Sequence, residues 1–336
     1  MNKRLDYIDI LKGFSILCIT FLHFEAGVIP LWLNTWIGSF MISAFYFTSG
    51  WMMGMRDEDI SVKDLARKRL KSLGVPYLWF SGLILLFDII LFLFGYYDVK
   101  FIGREVYKTI VLRGIGTLWF LPSLFFGELL FVWLKSKRSW LLIGFMALGT
   151  FLYLYFYYRW AGEYRNLSSM NQIIDAPFFT IRNAMIAWPV VAVGYLVAKD
   201  YKRLMGSMSN SVILMIALAI VGLSIYFASF SNLDLGVVTY FLPLVLGPLG
   251  LLLFAVVVER WHIMQFFTYW GRNSLVLMVT HYSIVMVLCQ IFDKYVLGCS
   301  EFIGWRTIVY FVVTVLLTYP LVWLFNNKAR FMLGRR

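Results

Sequence analysis

Charge is scarce in this chain. Asp, Glu, Lys and Arg make up only 14% of its 336 residues, where a soluble domain carries about a quarter. Histidine and cysteine are scarcer, with three of each. His23, His262 and His281 are scattered without ligand spacing, so no metal site is expected. Cys18 and Cys289 fall in apolar runs and Cys299 in a connecting segment, which excludes both a zinc pattern and a disulfide framework and leaves them structural. Strand-like alternation is missing too. Leu83 to Phe94 and Val212 to Phe227 are apolar on every face, which rules out a β-barrel. Neither low-complexity segments nor internal repeats are visible, so one domain over residues 1–336 is the economical reading.

What the chain has in quantity is apolar surface: 61% of it is hydrophobic and 19% aromatic. Runs of roughly 20 apolar residues, enough to cross about 30 Å of hydrocarbon as helix, predict ten spans near 8–24, 34–55, 76–95, 118–134, 140–158, 182–198, 211–230, 238–258, 274–292 and 307–326. The expected fold class is therefore all-α, a polytopic transmembrane helix bundle in the inner or plasma membrane. Pro122, Pro189, Pro243, Pro248 and Pro320 lie inside spans and suggest kinks, since neighbouring helices satisfy the carbonyls they release.

With the N-terminus inside, the inner segments carry twenty Lys and Arg residues and the outer ones eight, so both termini are expected to be cytoplasmic. Lys3 and Arg4 before an apolar run resemble a signal peptide, but Lys12 interrupts the run and no small-residue cleavage site follows; it reads as a retained first span. The net charge of +12 is mostly this inner bias, together with contact to anionic lipid, and does not call for nucleic acid.

The first span reads IDILKGFSILCITFLHF from Ile8 to Phe24. Eleven helical steps of about 100° return His23 to within about 20° of Lys12, about 16 Å along the axis, with Ile16 and Ile19 on the stripe between them. Asp9, one turn before Lys12, is placed to pair with it. Taken singly, Lys12 reads as a snorkelling interfacial lysine and His23 as an interfacial histidine bonded to a carbonyl. Taken together, they suggest a cationic anchor and an acid/base group suited to a long anionic donor. Glu25 reads either as an orienting group for the imidazole or as a solvated loop residue.

The stretch Tyr7-Ile8-Asp9-Ile10-Leu11-Lys12-Gly13, with His23 ten residues beyond Gly13, resembles the signature of the acyltransferase 3 family of integral membrane acyltransferases. Phe45-Tyr46-Phe47-Thr48-Ser49-Gly50, Leu118-Trp119-Phe120-Leu121-Pro122, and Gly271-Arg272-Asn273-Ser274-Leu275 followed by His281 resemble further motifs of that family, in the same order. Two features depart from it. Lys12 stands where the family often has arginine, keeping the charge but not the planar fork. The basic run Arg67-Lys68-Arg69-Leu70-Lys71 lacks the regular Arg-x-x-Arg spacing.

The resemblance implies transfer of an acyl group, usually acetyl, from cytoplasmic acetyl-coenzyme A to a hydroxyl of a surface polysaccharide or its lipid-linked precursor. For that chemistry His23 reads as general base on the sugar hydroxyl, or alternatively as a transient acyl carrier, with Lys12 and Asp9 beside it in the catalytic set. Donor contacts are expected from Lys12, Arg67, Lys68, Arg69, Lys71, Ser49, Asn273, Ser274 and His281, and acceptor contacts from Trp119, Glu25 and Arg182. Several have a plainer reading: Ser49-Gly50 as a close helix approach, Trp119 as an interfacial anchor, Arg182 as an interface residue, His281 as a cross-bundle hydrogen bond, and Asn273-Ser274 as a helix cap. Asp88 and Glu128 are intramembrane acids and so functional candidates without assigned partners; His262 reads as a solvated loop residue. A polysaccharide transporter or export factor is the rival class, but neither inverted repeats nor paired broken helices support it.

Overall fold

At membrane depth a backbone N–H or C=O has no water to bond, so an apolar chain folds its runs as helices. The structure, a computed structural model, describes residues 5–56, 59–206, 208–230, 237–296 and 304–335. Cys299, Lys3 and Arg4 lie outside them. Among the described residues there are fourteen α-helices and no strand. These are α1 (Asp6–Leu22), α2 (Leu31–Phe40), α3 (Ser43–Arg56), α4 (Val62–Arg69), α5 (Val75–Leu93), α6 (Val99–Ile110) and α7 (Phe120–Lys137), then α8 (Trp140–Tyr164), α9 (Ser169–Met205), α10 (Asn210–Ser229), α11 (Val237–Val258), α12 (Met264–Arg272), α13 (Ser274–Val285) and α14 (Gly304–Asn327).

Among the described residues, seven helical segments are long and apolar enough to cross a membrane, or eight if the bent pair α12–α13 counts as one span. The ten expected spans differ at three places. The first is α1, only 17 residues long. The second is broken into α2 and α3 at Met41 and Ile42; beside the break the Ser39 hydroxyl donates to Trp36 O at 2.6 Å and Ser43 to Phe40 O at 3.1 Å. The ninth is the second arm of a pair bent by 82°. Pro189, Pro243, Pro248 and Pro320 sit inside continuous helices as expected, while Pro122 falls in the first turn of α7, where its missing N–H has no intrahelical role.

The chain forms two compact units, one of Met1–Glu58 with Val190–Leu324 and the other of Asp59–Pro189 with Phe325–Arg336. In the first, glycines let helices touch backbone to backbone. A methyl group on Gly13 of α1 would overlap the Phe267 carbonyl of α12, and one on Gly271 of α12 would overlap the Asp9 carbonyl of α1. Gly50 of α3 meets Val191 of α9 in the same way, and Gly194 meets Phe47. Lipid supplies little hydrophobic drive between helices, so such close packing carries much of their association. The second unit carries polar ties between its helices. Tyr77 Oη donates to Thr109 O at 2.8 Å and Trp188 Nε1 to Thr150 Oγ1 at 2.9 Å, while buried Glu105 holds Lys108 at 2.8 Å. Asp88 of α5 is buried in the field of Glu105 and Lys108.

Gly13→Ala or Gly271→Ala is expected to lower stability by about 3 kcal/mol, at the upper end of overpacking costs, because a backbone carbonyl must move. A methyl group on Gly82 of α5 would meet nothing within 4 Å, so Gly82→Ala should leave stability unchanged or slightly higher. Thermal unfolding in detergent checks both.

Candidate active site

His23 caps the C-terminal end of α1 in helical geometry, and its ring is exposed. Its Nδ1 lies 2.7 Å from the Ile19 carbonyl. A carbonyl only accepts, so Nδ1 carries the hydrogen and Nε2 of the neutral ring is left with a lone pair. The next residue, Phe24, is fixed: its carbonyl accepts from Thr307 Oγ1 at 2.7 Å and its ring packs against Tyr310 at 5.9 Å. His23 therefore leaves a helix whose end is pinned.

Its neighbour is His281. The two rings lie 4.9 Å apart at 73°, edge to face. His281 is fully buried on α13, and its Nδ1 sits 2.7 Å from Leu277 O, the same i−4 arrangement as in His23. Among the described residues its Nε2 has no hydrogen-bond partner. Two imidazoles in the same tautomer thus stand side by side, one accessible and one enclosed.

The bend between α12 and α13 brings His281 there. Asn273 sits at φ −109°, ψ 14° and its Nδ2 donates to Tyr269 O at 2.9 Å. It closes the C-terminal end of α12; the side-chain cap expected for the start of the next helix is not made. Ser274 is the half-buried first residue of α13. Arg272 holds α1 through Asp6 at 2.8 Å and Asp9 at 3.5 Å, a partner for Asp9 beyond the Lys12 that its spacing suggested. Lys12 is half-buried. Ile16 and Ile19 are 0% and 7% exposed, so the stripe between Lys12 and His23 is packed against other helices and forms no open groove.

An accessible base fixed by a helix end, with a second imidazole behind it, suits proton removal from a nucleophile during acyl transfer. Residues 5–327 match the family model described as an acyltransferase domain. The chain belongs to the acyltransferase 3 family. No curated protein and no solved structure matches it. As a member of this family, the protein is a membrane acyltransferase.

The acyltransferase's other candidate residues fall into distinct surroundings. Arg67, Lys68 and Lys71 are exposed. Arg69 differs: its guanidinium forks onto the fully buried Glu128 of α7 at 2.5 and 2.6 Å, which supplies the partner that intramembrane acid required. Ser49 is buried beside Gly50, where the α3–α9 approach uses the small residue. Glu25 turns back on its own loop, accepting from Gly27 N at 2.8 Å and Ile29 N at 2.9 Å. Burial works to raise its pKa, but the backbone N–H groups of Ile29, Gly27 and Val28 outweigh this and hold the carboxyl below its ordinary value. The imidazole is oriented by Ile19 O, not by Glu25. Trp119 ends a 3₁₀ turn with its ring edge-on to Phe179 at 5.7 Å, and Arg182 stacks over the same Phe179 ring at 4.2 Å.

The Arg69–Glu128 and Arg272–Asp9 pairs join residues 59 and 263 positions apart, and no local spacing signals such partners. Glu128→Leu alone should destabilise by about 3 kcal/mol, since it strands a partly buried guanidinium. Adding Arg69→Met should recover most of that loss. A double-mutant cycle in thermal unfolding measures it, and no recovery would show the pair to be uncoupled.

Proposed function

We propose that the protein is an O-acyltransferase that moves acetyl or another short acyl group from cytoplasmic acyl-coenzyme A to a hydroxyl of a surface polysaccharide or its lipid-linked precursor. The observation that carries this reading is His23: exposed, with Nδ1 committed to Ile19 O and Nε2 free to take a proton. In the reaction, His23 Nε2 accepts the hydroxyl proton as the sugar oxygen attacks the thioester carbonyl. Collapse of the tetrahedral adduct breaks the C–S bond, and the departing thiolate recovers the proton from the imidazolium. The His281 ring stands beside the developing imidazolium, 4.9 Å away.

The donor is anionic, and the exposed Arg67, Lys68 and Lys71 offer cations for its phosphates. Arg69 is better read as Glu128's partner than as a donor ligand. The family assignment favours acyl transfer over the transport reading.

His23→Ala is expected to lower transfer of labelled acetyl to glycan in purified membranes by about 10²–10⁴-fold, the usual contribution of a positioned general base. Full transfer by that variant would end the assignment of His23. Neutralising Arg67, Lys68 and Lys71 together should weaken donor binding at least about ten-fold, or about 1.4 kcal/mol, and the weakening should shrink at high salt. Unchanged donor affinity would remove the basic segment from the site.

A further inference from the structure

Asp175, Phe179 and Asn183 recur every four residues on α9 and so share a face of that helix. Around them stand Tyr157 from α8, Trp119, and Arg113 from the segment between α6 and the 3₁₀ turn. Gly114 and Gly116 adopt φ of +71° and +54°, so the chain folds back directly after Arg113. The Arg113 guanidinium lies 3.4 Å over the Phe179 ring, and Arg182 lies 4.2 Å over that ring and 5.6 Å from the Tyr157 ring. Two cations thus share one aromatic ring.

Their charge is balanced only in part. Among the described residues no carboxylate forms an ion pair with Arg113 or Arg182, and the one acid close by, Asp175, accepts from Tyr157 Oη at 2.6 Å. Burial lowers the pKa of Arg113, against the pull of Asp175 and with the repulsion of Arg182 and Arg165. Arg182 Nε and Nη2 donate to Asn183 Oδ1 at 3.1 and 2.7 Å. That leaves the other end of the same amide: Asn183 is 3% exposed, and its Nδ2 is buried with no hydrogen-bond partner among the described residues. An unsatisfied buried donor costs about 1–3 kcal/mol, so two underused guanidinium forks beside one indicate a group that is to be bound.

We propose that Arg113, Arg182 and the Asn183 amide form a binding site for an oxyanion, phosphate or carboxylate, carried by the carbohydrate acceptor, with Phe179, Tyr157 and Trp119 as its aromatic walls. Guanidinium forks match the paired oxygens of such a group, Nδ2 supplies a neutral donor, and aromatic faces suit the C–H face of a sugar. That the anion's carrier is a carbohydrate rests on the acyl-transfer reading; the anion site does not.

The test is binding without any acyl donor, so its failure is separate from failure of the His23 assignment. The full chain in phosphatidylcholine nanodiscs is titrated with glucose 1-phosphate, glucuronic acid, glucose and inorganic phosphate by ligand-observed NMR. One or both anionic sugars should bind at least ten-fold more tightly than glucose and more tightly than inorganic phosphate. Arg113→Gln and Arg182→Gln should each lose at least ten-fold of that affinity, with Arg113→Lys intermediate and all three melting like wild type. Equal binding of glucose, inorganic phosphate binding as well as the anionic sugars, or full affinity in folded Arg113→Gln would overturn the proposal. So would displacement by coenzyme A, or loss of sugar binding in phosphatidylglycerol nanodiscs, which would identify the donor or a lipid headgroup as the occupant.

Discussion

The backbone crossing of α1 over α12 is the contact on which the histidine pair depends. With glycine at residues 13 and 271, carbonyls of each helix lie where the other would carry a methyl group. Nothing larger fits, so the register between the helices admits little slack. Arg272 locks it further by reaching Asp6 and Asp9, which sit one turn apart on α1. From that fixed crossing, α1 runs out to His23, and the 82° bend at Asn273 swings α13 so that His281 arrives beside it. The residues that set this geometry are mostly not those that carry the chemistry.

Polar groups in this chain divide by how fully they are satisfied. In an apolar setting an isolated charge or donor is costly, so most have found partners: Arg69 with Glu128, Lys108 with Glu105, Tyr157 with Asp175. A few stand out against that background. Among the described residues His281 Nε2 and Asn183 Nδ2 are buried without a partner, although the other end of each side chain is hydrogen-bonded. Unmet demand of that kind is tolerated where a ligand or a reacting group completes it. In both cases it falls on a side chain next to titratable or cationic neighbours, which is why these two clusters carry the functional reading.

Fold class was legible from composition and pattern together: 61% hydrophobic residues with 14% charge place the chain in lipid, and runs apolar on every face, such as Val212 to Phe227, leave helices and not a barrel to carry it. The number of spans was less so. Hydropathy treats 34–55 as one run, yet the helix breaks between Phe40 and Ser43, and a two-residue break among apolar residues does not register in an average over a window. The bend at Asn273 escaped for a related reason: a polar residue between two apolar helices reads equally as a cap for either.

From the order of residues alone it follows that the chain belongs in a membrane, that Lys12 and His23 lie on one helical face, and which ordered motifs mark an acyltransferase. Those conclusions rest on transfer energetics, helix periodicity and short-range spacing, all local along the chain. Folding in three dimensions was needed to bring His23 to His281, to give Arg69 to Glu128, to pack the Ile16–Ile19 stripe shut, and to join Arg113 with Arg182 on Phe179. Such pairings join residues far apart in sequence, and they are set by how closely glycine-bearing helices approach and where the helices break or bend.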